Sequence, residues 1–241
     1  MSTTDLLLCV PGPWADRSAL IRSVITLEPK GRYMFAGMVL ADVSAKDHVP
    51  LELHPSDPHM EEAFAISGQG KLSNGTLEAI RAHRSVAYMR FPVDLFGQLP
   101  RIRSFTALLR AAGGFAIKVE SSGVSHEWQR WEALLAGTAF DQYCAVVTLV
   151  GDDYYYYSCG MHSFMAPDCE APRNLPPAEA ADLMNRFNFW QLVESPVLQS
   201  GHTFSVSPEH PRFVLTKVKD ARHEQDDPFF NPAGLWRLDE A

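Results

Sequence analysis

Residues 142–162 read Gln142-Tyr143-Cys144-Ala145-Val146-Val147-Thr148-Leu149-Val150-Gly151-Asp152-Asp153-Tyr154-Tyr155-Tyr156-Tyr157-Ser158-Cys159-Gly160-Met161-His162. The apolar run Tyr143–Val150 and the tyrosine run are built from residues that suit a pleated surface, and Gly151-Asp152-Asp153 between them is turn chemistry. The stretch therefore predicts a β-hairpin. Alternation places Tyr154 and Tyr156 on one face and Tyr155 and Tyr157 on the other, so two tyrosines are expected in the core and two outside.

Working outward, the flanking segments alternate between strand and helix patterns. Toward the N-terminus, Leu6–Val10 predicts a first strand, Ala19–Leu27 a short helix capped by Asp16 or Ser18, and Tyr33–Val43 a second strand. Residues 44–58, with three prolines, four charged side chains and the first two of the histidines His48, His54 and His59, read as a loop. Helices follow at Met60–Ile66 and Thr76–Ala82, then a strand at Ser85–Phe91, a helix at Leu99–Ala112 and a strand at Phe115–Glu120. Trp128, Trp131, Leu134 and Leu135 form one apolar face of a helix for which Ser125 is the expected cap. Toward the C-terminus, Pro172–Pro177 is a break and Ala178–Val193 carries the strongest helical periodicity, its aromatic stripe reading as core. Short strands are expected at Thr203–Val206, Phe213–Val218 and Leu235–Leu238. Together these predict an α+β fold with mixed, mostly antiparallel sheets packed against helices. The reading takes 1–241 as one domain of two similar α/β halves, with a subdivision near 84 or 170.

Composition bounds the function. The 241 residues are 46% hydrophobic and carry a net charge of −8. A chain of this length can bury roughly 70–75% of its unfolded surface, so a large core is expected. The negative balance argues against sequence-independent nucleic-acid binding, which needs Lys and Arg to displace phosphate counterions. It favours a basic protein partner instead. The four cysteines form no CxxC pair and are expected as reduced thiols in the cytoplasm. Leu6–Val10 is too short for a signal-peptide core, and no stretch approaches 18 apolar residues, so no membrane association is expected.

No complete catalytic motif is present. Cys159 and His162 have a C-x2-H spacing, but positions three apart in a strand face opposite sides, and no second ligand pair accompanies them. His48, His54 and His59 lack the carboxylate frame of a metalloprotease helix. Lys118 and Glu120 share a strand face near His126, an arrangement related to metal-dependent nucleases with the order reversed. An ion-paired solvent face is the favoured reading; a metal-dependent hydrolase or nuclease using Lys118, Glu120 and His126 is the alternative. No metal, cofactor or catalytic residue is assigned.

The blocks Leu77–Glu120, Tyr154–Pro172 and Ala181–Phe204 resemble a bacterial family of domains of unknown function, the four-two-six-one type, over about two thirds of the chain. The matching positions are His83, Gly160, Met161, Pro167, Pro196, Val197, Leu198, Gly201 and Thr203; Met165-Ala166-Pro167-Asp168 departs from the family's Gly-Leu-Pro-Glu. The resemblance implies an α+β fold and no known enzyme activity. By analogy with families encoded beside secreted toxins, it suggests a cytoplasmic immunity protein of the type VI secretion context. The expected partner is a cognate toxin effector, basic in character. The expected contact residues are Asp152, Asp153, Tyr155 and Tyr157 on the hairpin and Asp226 and Asp227 before Phe229-Phe230.

Overall fold

A computed structural model describes residues 5–241, which separate into two compact units, 5–138 and 139–241. The boundary lies at Thr138-Ala139. Position 84 precedes a central strand of the first unit, and position 170 lies inside a strand of the second. The α+β class, with mostly antiparallel sheets packed on helices, is what the chain forms.

The first unit comprises β1 (Asp5–Gly12), α1 (Arg17–Leu27), β2 (Tyr33–Ala36), β3 (Val39–Asp42), β4 (Asp47–Pro55), α2 (Met60–Gly68), α3 (Asn74–Arg81), β5 (Ser85–Pro92), α4 (Leu95–Ala111), β6 (Ile117–Val119), β7 (Val124–His126) and α5 (Trp128–Ala136). Its seven strands lie in the order β2-β3-β4-β5-β1-β6-β7, every pairing antiparallel. β1 is buried on both faces. Leu6 and Leu8 share one face with their register partners Phe91 and Met89, and Phe91 meets Phe105 of α4 at 6.4 Å. Cys9 and Val86 look the other way, into a core with Phe64 of α2 and Ile80 of α3. Helices on both faces explain why β1 reads as an unbroken apolar run.

Three sequence expectations fail in this unit. Tyr33–Val43 is a hairpin, because Gly37 adopts a positive φ of 57° and turns β2 onto β3. Residues 47–55 are the strand β4: Val49 and Leu51 alternate with exposed residues and are fully buried, a pattern masked by Pro50, Pro55 and the charged positions. Ser125 lies in β7 with its hydroxyl at 2.9 Å from that of Ser67, and Glu127 is the residue at the α5 cap. Asp16 does cap α1, accepting the Ala19 N–H at 2.8 Å. Asp16→Ala should lower stability by about 1 kcal/mol in chemical denaturation while Asp16→Asn stays near wild type; equal losses for both would contradict the capping role.

The second unit comprises α6 (Ala139–Val146), β8 (Thr148–Gly151), β9 (Tyr155–Cys159), β10 (Asp168–Pro172), α7 (Pro177–Glu194), β11 (Thr203–Phe204), β12 (Phe213–Val218) and β13 (Leu235–Glu240), with a 3-10 turn at Met161–Phe164. Its sheet runs β11-β12-β13-β10-β9-β8, with only β10 and β13 parallel. The hairpin is present, but its first arm is shorter than expected. Tyr143–Val146 is the end of α6, where Tyr143 donates its hydroxyl to Asn185 of α7 at 2.9 Å and Phe140 packs edge-on to Phe189 at 5.2 Å. An all-apolar run of this length cannot tell strand from buried helix by periodicity. α7 is the expected helix, and its stripe is core: Leu183, Met184 and Phe187 pack with Cys169, Ala171, Leu215, Trp236 and Leu238.

Candidate partner-binding surface

The sheet of the second unit has two unlike faces. One carries Cys169, Ala171, Tyr156 and Trp236 toward α7. The other carries the register row Tyr157, Glu170, Arg237 and Thr216, contributed by four adjacent strands in the order β9, β10, β13 and β12. Tyr155 and Tyr157 are therefore on the face away from α7, as alternation predicted, while Tyr156 packs toward the helix with Arg173 over its ring at 4.1 Å.

The hairpin tip is fixed by its own aspartate. Asp152 Oδ1 accepts the N–H groups of Tyr154 and Tyr155, both at 2.7 Å, and the Asp152 N–H donates to the Tyr155 carbonyl at 2.9 Å. Its Oδ2 accepts from Arg222 Nε at 2.9 Å. Burial pushes the Asp152 carboxyl up, but the two N–H groups and the guanidinium outweigh it and hold the carboxyl below its usual range. Asp153 is exposed at the tip, and Tyr154 is 77% exposed.

Arg222 ties this tip to the acidic loop before β13. Its Nη1 lies 2.6 Å from Glu170 Oε2, and Arg237 Nε donates to Glu170 Oε1 at 2.6 Å. The Glu170 side chain is 1% exposed, so one buried carboxylate is clamped by two guanidiniums. Those guanidiniums in turn cover the tyrosines: Arg222 stands 4.5 Å from the Tyr157 ring and Arg237 4.7 Å from the Tyr155 ring. Tyr155 and Tyr157 are thus half-buried under arginines rather than free for a partner. Asp227 is spent in part on the loop, accepting the Phe229 N–H at 2.8 Å, whereas Asp226 is exposed.

The structure therefore brings the two predicted patches together. Asp152 and Asp153 on the hairpin, and Asp226 and Asp227 in the loop, belong to segments joined by the Arg222–Asp152 ion pair and by His223, whose ring lies 6.5 Å from Tyr157 and 5.7 Å from Phe229. His223 Nδ1 lies 3.0 Å from Asp220 Oδ2, and that hydrogen bond raises the His223 pKa above its ordinary value. Sequence reading missed Glu170, Arg222 and Arg237, because no spacing rule links residues up to 67 positions apart.

Beneath the loop lies a polar core. Asp168 accepts from Ser158 Oγ at 2.9 Å, from the Met161 N–H at 3.2 Å and from Asn231 Nδ2 at 2.6 Å; burial outweighs these hydrogen bonds and raises its pKa to about 6. Gly234 holds the loop against β12 and β13: at φ 69° its Cβ position would fall 2.4 Å from the Val218 carbonyl oxygen. His162 is buried and neither ring nitrogen has a hydrogen-bond partner among the described residues; burial lowers its pKa to about 4. Cys159 is buried and its thiol pushed up by burial. Among the described residues, no group of three His, Cys, Asp or Glu side chains is arranged to hold a metal ion.

In the first unit, Lys118 and Glu120 do pair, Nζ to Oε2 at 2.8 Å, but the side chains are only 13% and 19% exposed. The expected solvent face is therefore mostly covered, with the buried Cys9 in register beside Lys118. His126 faces Ile117 across the β6–β7 pair and lies against Trp131 at 5.9 Å, on the face opposite Lys118. The structure does not assemble Lys118, Glu120 and His126 into one site. No helix among the described residues is long and apolar enough to cross a membrane. Compared with known proteins, the chain matches no family model, no curated protein and no solved structure.

Proposed function

We propose that this chain is a non-enzymatic binding protein, an immunity protein that neutralises a cognate bacterial toxin effector in the cytoplasm through the hairpin tip and the adjoining acidic loop. The observation that carries the reading is Tyr154, 77% exposed on a turn whose backbone is pinned by Asp152. A rigid exposed tyrosine supplies contact area at low entropic cost, the property that makes aromatic residues interface anchors. Asp153 and Asp226 give the surface a negative rim, and with the net charge of −8 they select a basic partner. The separation of His126 from Lys118 and Glu120 weakens the hydrolase alternative.

Co-expression with the product of the adjacent gene tests it. The two proteins should co-purify and the chain should protect cells expressing that product. Tyr154→Ala should weaken the complex by about tenfold or more, and Asp153→Arg should slow association most at low salt. Absence of both co-purification and protection removes the immunity reading. Retained binding by the Tyr154→Ala/Asp153→Arg double variant moves the interface elsewhere.

A further inference from the structure

On the opposite side of the same sheet, α7, the segment 206–211 and the β12–β13 pair border a half-open cavity of about 470 Å³. Leu183, Val206 and Phe213 form its apolar floor, with Leu183 and Phe213 buried in the core of the unit. The rim is acidic. Glu179 and Asp182 come from successive turns of α7, and Glu240 comes from β13, where register pairs it with Phe213 and so points it to the same face.

The charges are unbalanced. Asp182 shares an ion pair with Arg186 at 2.9 Å, while Glu179 and Glu240 have no ion pair among the described residues. No lysine or arginine lines the cavity. His210, also in the lining, has its Nδ1 at 2.7 Å from the Ser207 hydroxyl. The first turn of α7 contributes about half a positive charge from its N-terminus, less than the two unpaired carboxylates supply in the other sense. The volume lies within the roughly 300–1,000 Å³ of small-molecule sites, and the layout of apolar floor with few convergent polar groups is theirs as well.

We propose that this cavity binds a small organic cation: a primary amine or guanidinium carried on an aliphatic or aromatic body. The body replaces water over Leu183, Val206 and Phe213, and the cationic head sits between Glu179 and Glu240. A neutral analogue gains only the apolar part, and an anion meets both carboxylates. The site is separate from the hairpin face, and it does not depend on the immunity reading.

The test is a titration of the full chain with 2-phenylethylamine and with agmatine, followed by amide chemical shifts, with 2-phenylethanol and 3-phenylpropionate as neutral and anionic controls. The amines should saturate, shifting the amides of Ala178, Leu183 and Phe213, and 2-phenylethylamine should bind at least about tenfold more tightly than 2-phenylethanol. Glu179→Gln/Glu240→Gln should abolish that preference and leave the spectrum otherwise folded. The proposal is overturned if no probe shifts these amides, if the alcohol or the carboxylate binds as well as the amine, or if the double variant keeps the amine preference. Should the double variant not fold, the comparison of amine with alcohol on the wild-type chain decides alone.

Discussion

Replacing Glu170 with alanine should destabilise the 139–241 unit by about 3 kcal/mol, toward the lower end of the range for breaking a buried ion pair. The reason is what stays behind. Glu170 is 1% exposed and pairs with both Arg222 and Arg237, each at 2.6 Å. Without it, two guanidiniums remain over Tyr155 and Tyr157 with one carboxylate, Asp152, between them. Arg222 and Arg237 are 23% and 33% exposed, so each can regain some hydration, which keeps the cost below the upper end. Arg237→Met should cost less than Glu170→Ala, because Glu170 retains Arg222. A volume-matched variant, Glu170→Leu with Arg222→Met and Arg237→Met, should recover much of the loss, since an apolar cluster needs no desolvated charges. Equilibrium denaturation monitored at amides of β10 and β13 measures all three. A Glu170→Ala loss below about 1 kcal/mol would place the clamp with surface ion pairs and refute the argument.

The clamp also shows where sequence reading reached its limit. The alternation of Tyr155–Tyr157 along β9 is local, so the faces of these three were legible; that of Tyr154 was not, because it lies on the turn ahead of the strand, and neither was what covers Tyr155 and Tyr157, because Arg222 arrives from the loop before β13 and Arg237 from β13 itself. The same contrast runs through the fold. The stripe of α7 and the cap at Asp16 rest on spacings of a few residues and were recoverable. The helix at Tyr143–Val146 and the strand β4 were not, because an unbroken apolar run and a proline-interrupted alternation each satisfy two local readings, and packing against α7 and pairing with β3 and β5 decide between them. For the candidate surface, the acidic residues followed from composition and turn chemistry, but the exposure of Tyr154 did not, since alternation grouped it with Tyr156, and the Arg222 bridge between hairpin and loop needed the sheet order.

His162 and Asp168 should set opposing slopes in the acid stability of the second unit. His162 is held at about 4 against an ordinary 6.5, so its neutral form belongs to the folded state; the stability it contributes is complete above pH 6.5 and is lost as pH falls toward 4. Asp168 is raised to about 6 from 3.8, so its protonated form belongs to the folded state; its contribution is complete below pH 3.8 and is lost as pH rises through 6. Each shift corresponds to about 3 kcal/mol. Between pH 6 and pH 4 the two cancel to a large extent, and Asp220, which lies near both, moves with neither because hydrogen bonds from His223, Asn231 and Arg222 keep its pKa low against the opposing effect of burial. Single variants expose the components. Relative to wild type, His162→Met should gain about 3 kcal/mol as pH falls from 6.5 to 4, while Asp168→Asn should lose about as much from pH 6 to 4. Reading the difference between curves removes the pH-independent cost of each substitution, which for Asp168→Asn includes a disturbed contact with Asn231. Denaturant unfolding at half-unit pH steps gives those curves, and variants running parallel to wild type would mean that neither group titrates differently on folding.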